Sequence, residues 1–294
     1  PWRRVARGRR FEGLGRDGPH GGPVRPFRFV QMADTQLGME DSFLGGRRQG
    51  WAAELALVRR AVEEINRMRP AFAIVCGDLV DEWPSEEQGR VGADAAVREQ
   101  QQRDFMEAMR RVDEQIPLLC LCGNHDVGDR PNSVTIQSFT QRFGDDYFTF
   151  WCNGVRCIVV NSQLWKDDSD AQELRESMDA WLDQELQAEE QPPTLVFSHV
   201  PPFVFDPHEK DEYFNLEREL RLRLLDRLVS RGAVAWFCGH YHRNAGGVYH
   251  SSCGRELEVV VTGAVGVQIT DREGGEPLGK SGIGVHSIGE RVSG

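Results

Sequence analysis

The sequence predicts a single α/β domain in which helices cover a sheet, and three observations predict it. From Phe27 onward, short apolar runs alternate with amphipathic stretches of helical period, the pattern of βαβ units. Clusters of Asp, Asn and His stand at the ends of five of those apolar runs, where a sheet would gather them along one edge. With 294 residues and 39% hydrophobic content, the chain is long enough to bury one large core.

Taken in order, residues 1–26 carry Arg3, Arg4, Arg7, Arg9, Arg10, Arg16 and Arg25 among glycines without hydrophobic periodicity, and read as a disordered lead-in. A strand at 27–32 precedes a helix over about 50–68, whose apolar stripe is Leu55, Val58, Val62 and Ile65 and which Arg69 and Pro70 close. A strand at 72–76 leads into a polar loop over 82–95, then a helix at 96–112 and a strand at 117–121. A short helix at 132–142 is followed by strands at 147–151 and 155–161, joined through Asn153-Gly154, a hairpin signal. A helix over 170–188, a strand ending at His199, a Pro-rich acidic stretch at 201–212, a helix at 215–230 and a strand at 234–238 come next. Apolar runs at 247–250 and 257–261 read as a hairpin. The glycine-rich end from 271 holds no recognisable strand or helix, which leaves one edge of a sheet open. The expected division is therefore a lead-in at 1–26, a domain at 27–268 and a divergent tail at 269–294.

A net charge of −11 argues against the phosphate-backbone footprint of a nucleic-acid binder. No run of about 20 apolar residues and no apolar leader are present, so no membrane span is expected. The seven cysteines are odd in number and sit mostly within apolar strand patterns, which suggests reduced thiols and a cytoplasmic protein. Cys120 and Cys122 lack a complementary pair at zinc-site spacing and read as core.

Of the eight histidines, His125, His199, His240 and His242 fall in the strand-end clusters. With Asp34, Asp78 and Asn124, the last three offer hard oxygen and borderline nitrogen donors suited to Mn²⁺, Mg²⁺, Fe or Zn²⁺. An aspartate can give one oxygen to each of two ions, and Asp78 in Gly77-Asp78 is the natural bridge. Two ions ~4 Å apart suit hydrolysis of a phosphate ester through an activated hydroxide.

The series Asp34-Thr35-Gln36, Gly77-Asp78, Gly123-Asn124-His125-Asp126, Ser198-His199 and Gly239-His240-Tyr241-His242 resembles that of the calcineurin-like metallophosphoesterases over roughly Phe27 to Gln268. The stretches Gln31 to Gln36, Gly144 to Phe148, Tyr213 to Leu216 and Gly239 to Gly247 resemble more closely a branch of cytosolic serine/threonine phosphatases. The resemblance implies a four-layer α/β/β/α sandwich. It implies that Asp34, Gln36 and His242 hold one divalent cation, that Asn124, His199 and His240 hold the other, and that Asp78 holds both. His125 would bond the phosphate and protonate the leaving oxygen, with Asp126 orienting its imidazole. Gln36 stands where most of the superfamily has His, so looser binding of that metal and a tilt towards Mn²⁺ or Mg²⁺ are expected. Arg243 and Asn244 are candidate phosphate contacts or ties for their own loop. The implied substrate is a phosphoprotein, with protein kinase B among the candidates, and the implied state is a monomer. A phosphodiesterase or nucleotide phosphohydrolase, and a non-catalytic phosphoprotein-binding protein, remain the alternatives.

Overall fold

The computed structural model describes residues 5–12, 14, 25–43, 50–187, 191–268 and 284–288. Strand β1 (Phe27–Met32) shows how the layers arise, because its side chains alternate between two buried faces. Phe27 and Phe29 point to one apolar cluster, and Val30 and Met32 to another. β1 runs parallel to β2 (Phe72–Cys76), which runs parallel to β3 (Leu118–Leu121). The connections are α1 (Met39–Phe43) with α2 (Ala52–Met68), and α3 (Ala95–Met109).

After α4 (Asn124–Val127) and α5 (Ser133–Phe143), β4 (Phe148–Cys152) and β5 (Val155–Val159) form a hairpin. Asn153 and Gly154 both have positive φ, 49° and 83°, as its tight turn needs. α6 (Gln163–Lys166) and α7 (Gln172–Leu186) lead to β6 (Thr194–Phe197). α8 (Arg218–Ser230) then precedes β7 (Ala233–Cys238), β8 (Ala245–His250) and β9 (Glu256–Val261). The second sheet has the order β4-β5-β6-β7-β9-β8, with β5, β6, β7 and β9 parallel.

Phenylalanines fill the space between the sheets. Phe29 stacks on Phe72 with centroids 4.9 Å apart and meets Phe237 edge-on at 5.2 Å, and Phe72 meets Phe150 at 5.1 Å. On the outer faces, Val58, Val62, Ile65 and Phe105 cover the first sheet, and Met178, Leu182, Leu224 and Leu228 the second. The result is the expected four-layer α/β/β/α sandwich.

Two terminal segments depart from the sequence expectation. Residues 284–288 form a five-residue strand, β10 (Gly284–Ile288), antiparallel to β1 at the edge of the first sheet, in a stretch from which no strand was expected. The segment carries only a weak apolar signal because its pairing groups are backbone, and His286 adds an Nε2 contact to Gln31 Oε1 at 3.1 Å. The rest of the expected tail, apart from these five residues, lies outside the described residues from 269 onward. Within the expected disordered lead-in, Ala6 and Phe11 are buried, and Phe11 N–H donates to Thr149 O of β4 at 3.0 Å. Arg9 pairs with buried Asp146 at 2.7 Å and lies over Tyr147. Two apolar side chains and one ion pair anchor a segment whose arginine content suggested none.

Six of the seven cysteines are buried, Cys120 and Cys122 in the core, and Cys253 is exposed. Among the described residues, no helix is long and apolar enough to cross a membrane.

Candidate metal centre

Because β1, β2, β3, β6 and β7 run parallel within their sheets, each ends at the same rim and releases a polar residue there. Asp34, Asp78, Asn124, His199 and His240 follow these strands, and His242 lies one turn further on. All are buried, as is Gln36. The exits are tight. Asp34, Gln36, Asp78, His240 and His242 have φ of 54°, 29°, 53°, 70° and 57°, a left-handed region that costs a non-glycine residue about 1–3 kcal/mol and persists where the surroundings impose it. Gly77 has φ 81°, and a Cβ there would stand 2.5 Å from His199 Nδ1. A Cβ at Gly123 would overlap Asp78 Oδ1. Glycine at both positions lets the backbones approach closely enough to bring the ligands together.

Two ligand groups result, Asp78 with His199 and His240, and Asp34 with Asp78 and His242, the donor atoms of each lying within 4.8 Å of one another. Asp78 belongs to both. His199 Nε2 is 3.2 Å from Asp78 Oδ2 and 3.1 Å from Asn124 Oδ1, and its Nδ1–H donates to Cys76 O at 2.8 Å. His242 directs Nδ1 to Val267 O at 2.6 Å and Nε2 towards Asp34 Oδ1 at 3.5 Å. His240 directs Nε2 to Tyr213 O at 3.3 Å. In each ring a backbone carbonyl fixes one nitrogen and leaves the other for a metal. Asp34 accepts the His240 N–H, and Asp78 Oδ1 accepts the His125 N–H at 2.9 Å.

Burial pushes the Asp34 carboxyl up to about 8, against the pull of His199 and with the help of Asp78. Burial acts the same way on Asp78, yet the facing imidazoles of His199 and His125 hold it below the usual carboxylate range. His199 is opposed by burial but raised by Asp78 and Asp34 to about 9. Burial lowers His240 well below the ordinary histidine value and His242 to about 4. Three close carboxylate or imidazole donors per group, gathered in a dry site, suit a cation. The residues also pass a direct test of fit: among the described residues Gln36 Oε1 is buried and accepts no hydrogen bond, as expected of a donor reserved for a metal.

The conserved-fold family model for calcineurin-like phosphoesterases matches residues 27–244. The chain belongs to the calcineurin-like phosphoesterases. Its relatives include serine/threonine-protein phosphatase CPPED1 of Danio rerio, 42% identical over 255 residues, which span 84% of this chain and 78% of that protein. The Homo sapiens CPPED1 is 36% identical over 254 residues, 83% and 76% of the respective chains. Among solved structures, a dimetal phosphatase from Danio rerio superposes with a TM-score of 0.61 at 17% identity, covering 92% of this chain and 94% of the other, a likeness of fold. This phosphoesterase is accordingly a hydrolase of a metal-dependent phosphatase family, with candidate metal-binding groups at the strand ends.

His125 lies beside the ligands at the N-terminus of α4, with Nδ1 facing Asp81 O at 2.5 Å and Asp81 Oδ1 at 3.8 Å. Its ring lies on Trp83, with centroids 4.0 Å apart, and Arg90 covers the far side of Trp83 at 3.6 Å. Asp126, expected to orient this imidazole, has a different task. Its carboxylate accepts backbone N–H groups from Asp78 and Gly123, both at 2.8 Å, and from Leu79, locking the β2 exit to the β3 exit. Burial, then Asp78, raises Asp126 to about 6. The place expected for Asp126 is taken by Asp81, which the sequence offers three residues after Asp78 without any periodic signal to mark it.

Asn244 Oδ1 accepts the Gly263 N–H at 2.8 Å, the loop-tying alternative, and the Arg243 guanidinium lies over the Tyr241 ring at 4.1 Å. Asn161 bonds Asp146 at 3.1 Å, and Trp165 is core, its Nε1–H donating to Asp179. Tyr213 was legible in the sequence only as part of a resembling stretch. It reaches the site from the irregular segment before α8, where Asn124 Nδ2–H donates to its hydroxyl at 3.0 Å.

Proposed function

We propose that this phosphoesterase hydrolyses phosphoserine and phosphothreonine monoesters of proteins at a centre of two divalent cations. The observation that carries the reading is the pair of buried ligand groups meeting at Asp78. Asp34, Gln36 and His242 would complete one site, and Asn124, His199 and His240 the other. Ions bound there would acidify a water and neutralise charge on the phosphoryl oxygens.

The protein's own residues supply the rest. Asp81 O accepts the Nδ1–H of His125, which leaves Nε2 as the nitrogen able to give a proton to the departing serine or threonine oxygen. The P–O bond to that oxygen breaks as the oxygen of the already deprotonated water bonds to phosphorus, its remaining proton leaving with the phosphate, and the proton from His125 neutralises the alkoxide. The Asp81 carboxylate, 3.8 Å from Nδ1, stabilises the imidazolium, and Trp83 keeps the ring from turning away. Arg243 and Asn244 stand after His242 as the proposed contacts to phosphate, Asn244 through its Nδ2–H since its oxygen accepts the Gly263 N–H. Protein substrates are supported by the serine/threonine-protein phosphatases among the relatives, and protein kinase B by the sequence resemblance alone.

The test is hydrolysis of a phosphopeptide, p-nitrophenyl phosphate, its bis ester and a cyclic nucleotide under Mn²⁺, Mg²⁺ and Zn²⁺, with wild type beside His125→Ala. Metal-dependent release of phosphate from the monoesters, slowed about 10²–10⁴-fold in His125→Ala, is expected. Preferential turnover of the bis ester or cyclic nucleotide would assign the site to phosphodiesters, and inactivity of folded, metal-loaded wild type would leave a binding protein.

A further inference from the structure

Segment 201–217 has no helix or strand, yet its conformation is fixed from several directions. Glu209 accepts the N–H groups of Val204, Phe205 and Asp206, and takes a further bond from Asn215 Nδ2 at 2.7 Å. Lys166 Nζ–H donates to Glu212 O and Asn215 O, both at 2.6 Å. Buried Arg221 donates to Pro207 O at 2.9 Å and Leu216 O at 2.8 Å. A loop wired this heavily presents its residues in one geometry. What it presents to the metal centre is Tyr213.

We propose that Tyr213 is the positioning residue for two ligands of one metal, Asn124 and His240, and that it ties them to His125 across the mouth of the site. The inference rests on the two-metal reading above. The Tyr213 hydroxyl accepts the Asn124 Nδ2–H at 3.0 Å and donates to Asp129 Oδ1 at 3.2 Å. With its amide nitrogen so engaged, Asn124 keeps Oδ1 on the side of His199 and Asp78. The Tyr213 carbonyl lies 3.3 Å from His240 Nε2, leaving Nδ1 of that ring as the donor, and the Tyr213 ring lies against the imidazole with centroids 4.9 Å apart. From Asp129 the contacts continue to Arg90 at 3.3 Å, from Arg90 to Trp83, and from Trp83 to His125. Tyr213 touches no residue of the Asp34, Gln36 and His242 set in these contacts, so its effect falls on one ion.

The decisive experiment is Mn²⁺ titration by calorimetry of wild type, Tyr213→Phe and Asn124→Ala, with thermal unfolding of each metal-free protein. Tyr213→Phe keeps ring and backbone and removes only the hydroxyl. The expected result is two equivalents in wild type, and in Tyr213→Phe an affinity about 10–100-fold weaker for the equivalent that Asn124→Ala also weakens. The other equivalent and the metal-free Tm stay as in wild type. Two unchanged equivalents in Tyr213→Phe, or both weakened together with a fallen metal-free Tm, overturn the inference while leaving the two-metal reading intact. Fewer than two equivalents in wild type overturn both.

Discussion

The Asp78, His199 and His240 group is braced by its surroundings, whereas the Asp34, Asp78 and His242 group has a neighbour whose needs the protein leaves open. In the first, Cys76 O holds His199, Tyr213 O holds His240, and the Tyr213 hydroxyl holds the Asn124 amide. In the second, Val267 O holds His242, but Gln36 Oε1, two residues beyond Asp34, is buried without a partner among the described residues. Desolvating an amide oxygen without a hydrogen bond costs about 1–3 kcal/mol, so the apo protein bears a cost at this position that a bound cation would remove. On the proposed two-metal reading, the difference teaches that one site is organised by hydrogen bonds before a metal arrives, whereas the other would be completed by the metal.

The largest effect should come from Asp78→Asn, because it weakens both groups at once. A fall in kcat/KM of about a thousandfold or more, equivalent to ~4 kcal/mol, is expected in a steady-state assay with p-nitrophenyl phosphate. Retention of most activity would mean that the two groups do not share this carboxylate functionally. His199→Ala should abolish one Mn²⁺ equivalent in calorimetry and leave the other within a few-fold, which separates the two groups directly.

Gln36 sharpens the contrast at smaller scale. Gln36→Met, of similar volume and without the orphan oxygen, should raise metal-free stability by about 1 kcal/mol in urea unfolding while weakening one metal equivalent. Gln36→His should tighten that equivalent and shift metal preference from Mn²⁺ or Mg²⁺ towards Zn²⁺, and unchanged metal dependence would remove Gln36 from the ligand set.

A further contrast is one of pH. Burial raises Asp34 to about 8, and Asp78 and Asp34 raise His199 to about 9 against burial, so without a metal each group holds one donor that is protonated at pH 7. His240 and His242, lowered by burial, are already neutral there. A metal must displace those protons. Affinity should be full above about pH 9 and fall below it by about tenfold per unit for each proton displaced. Calorimetry at pH 7 in two buffers of different ionisation enthalpy should reveal the release, and equal heats in both would contradict it.

The residues that gather at the rim were legible because their clusters are local. Gly77-Asp78 and Gly239-His240-Tyr241-His242 each sit at the end of an apolar run, and an apolar run in an alternating chain implies a strand whose end points to a common rim. The strands of the sandwich were legible for the same reason, down to the Asn153-Gly154 turn. Strand β10 was not, since an edge strand can be held by backbone hydrogen bonds to β1 that leave little trace in side-chain pattern. Nor was the packing of Ala6 and Phe11, which depends on β4 being close by.

By itself, then, the sequence determined the elements, the family and the residues that gather at the strand ends, because hydrophobic period and glycine-flanked polar clusters are properties of neighbours along the chain. Only the tertiary structure decided what stands behind each of them. Asp126 lies one residue after His125 and Asp81 three residues after Asp78, and nothing in those spacings says which carboxylate meets the imidazole, yet the first faces three backbone N–H groups and the second faces the imidazole. Tyr213 lies 89 residues from Asn124 and reaches it from a loop pinned by Lys166, Glu209 and Arg221. Hydrogen bonds are directional and short, so which of two nearby groups takes a proton or a ligand is settled in space rather than along the chain.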